Sequence, residues 1–208
     1  MEDVLAVYER PYDPAHPVIC LDETSRQLLA DVQPPCRSEP GRPARHDPEY
    51  VRGRVTNLFL ALEPLQGQRS VLVSDQRTRL DFARCVKHLV DIQYPDVERI
   101  VLVVDHLNTH TPASLYAAFP PTEAKRITDK LEIHYTPKHG SWLNMAELDL
   151  SVLQRQCLRQ RLADRDAMEW AVTAWTERRN RASQRIDWQF TTADARTKLR
   201  RLYPAYED

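Results

Sequence analysis

The sequence has few glycines, no long apolar run and no closely spaced cysteines, and these shortages exclude several classes of protein. Against 15 prolines there are only 4 glycines, which is typical of a globular chain with stiff loops. The four cysteines form no CxxC pair, so neither a zinc ribbon nor a disulfide framework is predicted, and a reducing cytoplasm fits best. The longest apolar run is IVLVV at 100–104, too short for a membrane span.

Net charge is also low, at −1, which gives no overall argument for binding nucleic acid. It hides a gradient, however. Residues 152–208 carry 12 Lys and Arg against 8 Asp and Glu, and residues 1–151 carry 17 against 22. An acidic first part and a basic second part would suit a metal site beside a polyanion. A solvated helical surface explains the same gradient equally well.

At 208 residues the length predicts one domain, residues 1–208, with a sizeable core. Short apolar runs bounded by turn residues predict about five strands. Asp22 is expected at the exit of the first strand. The segment RQLLADVQ (26–33) is a possible pairing partner of that strand. The Pro-rich segment 34–50 is predicted to be a loop. The five predicted strands span residues 17–23, 56–64, 70–75, 99–105 and 131–136.

Helical spacing of apolar residues predicts helices over 78–94 and 112–130, and two long helices from Asn144 to the C-terminus. The run RIVLVVD is so uniformly apolar that it predicts a central strand covered on both faces. Strands followed by alternating helices and strands indicate an α/β fold with a mixed central sheet flanked by helices.

Three acidic residues occupy positions where chain ends can converge: Asp22, Asp105 and Glu147. Each has a structural alternative. Asp22 can begin a turn, Asp105 can cap the next element, and Glu147 can complete a capping box with Asn144. Three carboxylates within about 4 Å would repel by roughly 4 kcal/mol per pair at an effective dielectric of 20. Cations would relieve that repulsion, and two Mg²⁺ or Mn²⁺ ions would support phosphoryl transfer of the nuclease type.

Several separated segments resemble, in family order, the DDE transposases of the bacterial insertion-sequence family called IS six-thirty, relatives of the mariner transposases. The segments are CLDETSRQL, GRP…EYVRG…NLFLALEPLQG, VLVVDHLNTHTPASLYAAFP, EIHYTPKHGSWLNMAELDLSVL and DWQFTTADARTKL. The resemblance implies a ribonuclease-H-like fold, a DDE triad with two divalent ions, and cutting of transposon ends that are joined to a TA target.

Carried over by position, the triad is Asp22 of CLDET, Asp105 of VVDHLN and Glu147 of WLNMAE. In the implied two-metal chemistry, Asp22 bridges the ions, Asp105 binds one, and Glu147 binds the other and helps orient the attacking water. Asp149 is a rival, about 200° from Glu147 on a helix. It lies on the more apolar arc, whereas the family motif favours Glu147.

The residues after Asp105 allow two interpretations. His106 and His110 would be adjacent on a helix and could bind zinc. Alternatively, Asn108 and the two histidines stabilise the turn or contact DNA phosphate. The family usually has Asn directly after this Asp, so His106 is a departure from its pattern.

Further candidates for DNA contact lie downstream. Lys138 and His139 precede the Glu147 helix, and Arg155 and Arg159 belong to an Arg-rich helical face. For any single Arg, a solvated helix is an equal alternative. Trp142 could stack on a base, although core packing is the stronger expectation.

The helix-turn-helix modules of full transposases are not found before the catalytic segments. The sequence therefore predicts a DDE catalytic domain, an endonuclease and strand transferase, that works on DNA as a homodimer, with a separate helix-turn-helix subunit as a possible partner. A bacterial cytoplasmic location and no membrane contact are expected. The alternative is a catalytically silent or domesticated DNA-binding or assembly subunit of a split transposase.

Overall fold

A computed structural model describes residues 1–33, 40–41, 48–138 and 140–203. Five strands form one sheet in the order β3-β2-β1-β4-β5. The first three strands pair antiparallel, whereas β4 and β5 join β1 in parallel, so the sheet is mixed as predicted. The strands are β1 Val18–Asp31, β2 Tyr50–Glu63, β3 Gln68–Ser74, β4 Ile100–Val104 and β5 Leu131–Tyr135.

Helices cover both faces of the sheet. On one face lie α2 Arg79–His88, α3 Pro112–Ala118 and α4 Pro121–Asp129. On the other lie α1 Glu2–Tyr8, α5 Met145–Gln156, α6 Arg165–Arg181 and α7 Thr192–Lys198. Within the described ranges, no helix has the length and apolar character that crossing a membrane requires.

Side-chain alternation along the strands divides the core into two clusters. On β1, Cys20 packs with the α5 side, and Ile19 and Leu21 pack with the α2 side. On β4, Val101 and Val103 face α5, and the remaining three residues face α2. All five residues of β4 are buried, which confirms that this strand is covered on both faces. Because side chains alternate between the two faces along a strand, the same alternation decides on which face of the sheet Asp22 and Asp105 lie.

Four predicted boundaries were wrong. Strand β2 begins at Tyr50 rather than at residue 56. Strand β1 does not end near Asp22 but continues to Asp31, because residues 26–31 pair with the first part of β2 rather than with 17–23. The helix expected over 112–130 is two helices, since Pro120 and Pro121 interrupt it. The C-terminal part has a third helix, α7, after α6 ends at Arg181. Most of the predicted loop 34–50 lies outside the described residues.

Candidate active site

Asp22 and Asp105 lie next to each other because of the strand register. β1 and β4 are parallel, with Cys20 opposite Val103. Two more residues along each strand bring Asp22 opposite Asp105, and neighbouring strands are about 4.8 Å apart. By alternation, Asp22 follows Cys20 and Asp105 follows Val103 onto the sheet face that α5 covers. Asp22 is thus a mid-strand residue that reaches the site where its partner strand stops.

Glu147 comes to the same place from the first turn of α5. The carboxylate is exposed, and it lines an open cleft of about 370 Å³ together with Asp22 and Asp105. Asn144 caps α5 by accepting a hydrogen bond from Ala146 N at 3.1 Å. In the described part of the chain, the Glu147 carboxylate accepts no hydrogen bond from the backbone N–H of Asn144, which donates to the carbonyl of Ser141 instead. The capping-box alternative is therefore not supported.

Asn144 also fixes where α5 begins relative to β1. Its side-chain amide is fully buried and donates from Nδ2 to the carbonyl of Leu21 at 2.9 Å. Leu21 directly precedes Asp22, and Ala146 directly precedes Glu147. One buried amide therefore connects the backbones that carry two of the three acidic residues.

A buried histidine makes a second connection. His110 Nδ1 hydrogen-bonds Asp105 Oδ1, and its Nε2 lies 3.1 Å from Glu23 Oε2, a contact of charges rather than an aligned hydrogen bond. Burial disfavours the charged ring, but the contacts with Asp105 and Glu23 outweigh it and raise the pKa of His110 to about 9. Because both ring nitrogens face carboxylates, the imidazolium form is favoured: it donates a hydrogen bond to Asp105 and attracts Glu23 by its charge.

Negative charge accumulates at the cleft despite this histidine. Burial raises the pKa of Asp22 to about 7, and the charges of Glu23, Asp105 and Glu147 add to the shift, while a hydrogen bond from Glu23 N opposes it. Asp22 Oδ1 accepts that bond at 2.8 Å. The cleft is thus a place where a cation or a proton is strongly favoured.

Asp149 is excluded from the cleft by a buried ion-pair network. Its carboxylate is 1% exposed and accepts a hydrogen bond from Arg69 Nε at 2.7 Å. The Arg69 side chain is 0% exposed. Arg179 Nη2 donates to the other oxygen at 3.1 Å. Asp149 therefore joins α5 to β3 and α6, and of the two residues only Glu147 lines the cleft.

The zinc alternative does not fit the structure. Residues 105–110 form a turn rather than a helix, so His106 and His110 are not adjacent. His106 is exposed and packs edge-on against Tyr135, with ring centroids 5.0 Å apart. His110 is instead buried beside Phe82 and between its two carboxylates.

The candidates for DNA contact lie outside the cleft lining. Asn108, Lys138, Arg155 and Arg159 are all exposed, and His139 lies outside the described residues. Two arginines further along the chain serve the fold instead. Arg161 pairs with Asp31 at 2.7 Å, and Arg179 belongs to the Asp149 network.

Sequence reasoning missed Glu23 and Arg69. Glu23 had a signal, since strand alternation sends it to the face opposite Asp22, toward the buried His110. Arg69 had none, because its partner Asp149 is 80 residues further along the chain. Trp142 was expected in the core but is 41% exposed, on a turn beside the cleft.

Comparison with solved structures supports the same fold. The chain is similar to the Mos1 mariner paired-end complex with Mn (TM-score 0.57, 15% identity, 87% of this chain and 54% of that one). It is also similar to the Mos1 strand transfer complex, with a TM-score of 0.59, 15% identity, and coverage of 87% of this chain and 53% of that one. The similarity to a pre-cleavage Mos1 transpososome has a TM-score of 0.54, 14% identity, and coverage of 87% of this chain and 58% of that one. The chain thus spans about half the length of these proteins, and the shared fold is ribonuclease-H-like.

Family comparison gives the more specific result. A search of the curated proteins found no match. A family profile described as "DDE superfamily endonuclease" matches residues 17–169, a range that begins just before β1 and ends within α6, and so contains Asp22, Asp105 and Glu147. The chain belongs to the DDE superfamily of endonucleases.

Proposed function

We propose that this protein is the catalytic domain of a DDE transposase of the IS six-thirty type, which cuts and joins DNA phosphodiesters with Mg²⁺ or Mn²⁺. The observation that carries the proposal is the convergence of Asp22, Asp105 and Glu147 on one cleft. Two of these residues come from adjacent parallel strands and the third from the capped start of α5. The family match supports the reaction class, and the similarity to the Mos1 paired-end and strand transfer complexes supports transposon-end DNA as the substrate.

The carboxylates suit hard divalent ions. All three offer only oxygen, and Mg²⁺ is commonly held by one or two carboxylates with water and phosphate in its other positions. Within the described ranges, no group of three or more His, Cys, Asp or Glu side chains could hold a metal. The ions would therefore depend on water and phosphate, as well as on Asp22, Asp105 and Glu147, to complete their coordination.

Bound divalent ions would polarise the scissile phosphate and activate the nucleophile. The chain's own residues would then do three things. Asp22 would help to hold the ions, Asp105 would do so while His110 keeps it in place, and exposed Glu147 would help to orient the attacking water. In strand cleavage, water attacks phosphorus and displaces the 3′ oxygen, which takes up a proton to become a 3′ hydroxyl while the phosphate stays on the 5′ end. In strand transfer, that hydroxyl loses its proton and attacks a target phosphorus, which forms a new phosphodiester and displaces the target strand's 3′ oxygen as a hydroxyl. No bond to the protein is formed.

The remaining parts of the proposal concern partners and location. The expected substrate is the pair of transposon ends with a TA target, and cutting two ends favours a homodimer. A separate helix-turn-helix subunit would supply sequence recognition, with 1–208 acting as a single catalytic domain. Exposed Asn108, Lys138, Arg155 and Arg159, together with His139, are proposed to contact the DNA backbone. A bacterial cytoplasmic location is part of the same proposal.

A second candidate function is a catalytically silent DNA-binding or assembly subunit. It is favoured by the lack of a compact three-ligand metal group in the described part of the chain. It is also favoured by the engagement of Asp105 Oδ1 with His110, which leaves that oxygen less available to a metal.

A nicking assay separates the two functions. The protein is incubated with a duplex carrying the element's terminal repeats in Mg²⁺, in Mn²⁺ or in EDTA, beside an Asp105→Ala variant. Metal-dependent nicking that disappears in EDTA and in the variant is expected. Nicking that survives Asp105→Ala, or no nicking in either metal although the DNA is bound, would contradict the enzymatic function.

A further inference from the structure

Trp142 is held in place at its back while its front is open to solvent. The indole is 41% exposed. Behind it, the Trp188 ring stacks at a centroid distance of 6.4 Å and an angle of 23°, and Phe190 meets it edge-on at 5.7 Å. Trp188 is itself fixed, because Nε1 donates to the carbonyl of Phe190 at 2.8 Å. We call these three residues the aromatic cluster.

Two hydrogen bonds anchor the residues directly after Trp142. Tyr8 Oη donates to the carbonyl of Leu143 at 2.7 Å, and Leu143 is fully buried. Asn144 follows, with its hydrogen bond to the carbonyl of Leu21. The orientation of the indole is therefore decided by the fold, which lowers the conformational entropy that a stacking ligand would cost.

The aromatic cluster borders the carboxylate cleft. Ser141, the residue before Trp142, lines the cleft together with Asp22, Asp105 and Glu147. If a phosphodiester lies at these carboxylates, as the proposed function requires, a nucleotide next to it is within reach of the indole face. An aromatic face accepts any base by stacking, without needing hydrogen bonds.

The surroundings favour nucleic acid over an apolar protein partner. Ser141 and Lys138 are exposed beside Trp142 in the same connection, and Lys198 Nζ lies 5.5 Å from the centroid of the Phe190 ring. A single exposed ring among polar and cationic groups is not the broad apolar patch that a protein interface uses. It matches the combination of base stacking and backbone charge in single-strand binding sites.

We propose that the aromatic cluster is a stacking platform for an unpaired nucleobase adjacent to the phosphodiester in the carboxylate cleft. This inference rests on the proposed function and adds a specific contact to it. It predicts that DNA with unpaired nucleotides at the cleavage position binds more tightly than the same DNA fully paired, and that the difference depends on Trp142.

The test compares Trp142→Ala, Trp142→Phe and Trp170→Ala. Trp170 is a matched control, since it is an even more exposed indole, at 76%, on α6 and outside the cleft lining. Binding is measured in EDTA at fixed salt, by fluorescence anisotropy, with two labelled terminal-repeat duplexes. One is fully paired and the other has unpaired nucleotides at the expected cleavage position. Thermal melting confirms that each variant is folded.

Trp142→Ala should weaken binding of the partly unpaired duplex by roughly 5- to 150-fold, the loss of one stacked base. It should affect the paired duplex much less. Trp142→Phe should retain most of the binding, and Trp170→Ala should match wild type. A 2-aminopurine at the unpaired position should change fluorescence on binding to wild type and to Trp142→Phe, but not to Trp142→Ala.

Three results would overturn the platform: unchanged binding of the partly unpaired duplex by Trp142→Ala, an equal loss for both duplexes, or a loss of dimer in sedimentation without a change in DNA binding. The last would assign the indole to a second copy of the chain. The two proposals fail separately. Trp142-dependent binding without metal-dependent nicking removes the enzymatic function alone, and nicking that is indifferent to Trp142 removes the platform alone.

Discussion

Two acidic residues in one helix should respond in opposite ways when their charge is removed. Glu147 is exposed in the cleft, and Asp149 is buried against Arg69 and Arg179. The changes Glu147→Gln and Asp149→Asn each replace one carboxylate oxygen by an amide nitrogen and hardly alter side-chain volume. We expect the first to remove activity and keep stability, and the second to remove stability.

The expected loss for Asp149→Asn follows from the buried contacts. The Arg69 side chain is fully buried, so its guanidinium cannot recover hydration when the anion is removed, and the Arg179 side chain, 15% exposed, can recover only part. Breaking a buried pair in this way costs about 3–5 kcal/mol. For a domain of this size each kcal/mol lowers the melting temperature by about 2–4 °C, so a decrease of roughly 6–20 °C is expected. Glu147→Gln should stay within about 0.5 kcal/mol of wild type.

Differential scanning calorimetry and the nicking assay measure the two effects on the same samples. Activity is compared well below the melting temperature of Asp149→Asn, where that variant is folded and should still cut DNA. A further variant, Arg69→Met with Asp149→Leu, removes both charges and should recover part of the stability. If Asp149→Asn melts like wild type but cannot cut, while Glu147→Gln cuts normally, the roles given to these two residues are reversed.

Four other changes test two supports of the site and two glycines with positive φ. Asn144→Ala removes the cap of α5 and leaves a buried carbonyl without a donor, so denaturant unfolding should show a loss of about 2–4 kcal/mol. His110→Ala leaves the buried carboxylate of Glu23 unpaired and should lower the free energy of unfolding by about 3–5 kcal/mol. The affinity for Mn²⁺, followed by electron paramagnetic resonance, should also change, because Asp105 loses its hydrogen-bond donor. Gly67→Ala adds a Cβ within 2.7 Å of backbone carbons at a φ of +66° and should destabilise by more than 2 kcal/mol in thermal melts. Gly41→Ala, at a similar φ of +79° with open space around it, should lose only about 1 kcal/mol.

The sheet could be predicted because its strands are short, apolar and separated by turn residues. The positions where prediction failed are those where one element continues without a change in composition. Residues 26–31 of β1 are partly polar because this half of the hairpin extends beyond β3, which pairs only with residues 57–63 of β2. Pattern alone cannot separate such an extension from a second strand, since both alternate and both are half exposed.

The candidate site could be predicted in its acidic residues but not in what holds them. Asp22, Asp105 and Glu147 stand in motifs whose order the resemblance identifies. Strand register and alternation bring Asp22 and Asp105 together, and the first turn of α5 adds Glu147. The groups that fix them come from distant positions: Asn144 donates to Leu21, 123 residues earlier, and His110 contacts Glu23 across two elements. Such pairs depend on the packed fold rather than on local spacing.

These connections explain how an open cleft can have a defined geometry without bound ions. Like charges at Asp22 and its neighbours push the elements apart, and burial makes that repulsion stronger than it would be in water. The imidazolium of His110 offsets it on the α2 side, and the neutral Asn144 amide holds α5 in place without adding charge. Both supports lie at the edge of the cleft rather than inside it. The cleft therefore keeps a net negative charge that a divalent ion can neutralise, which a cationic side chain placed among the three carboxylates would prevent.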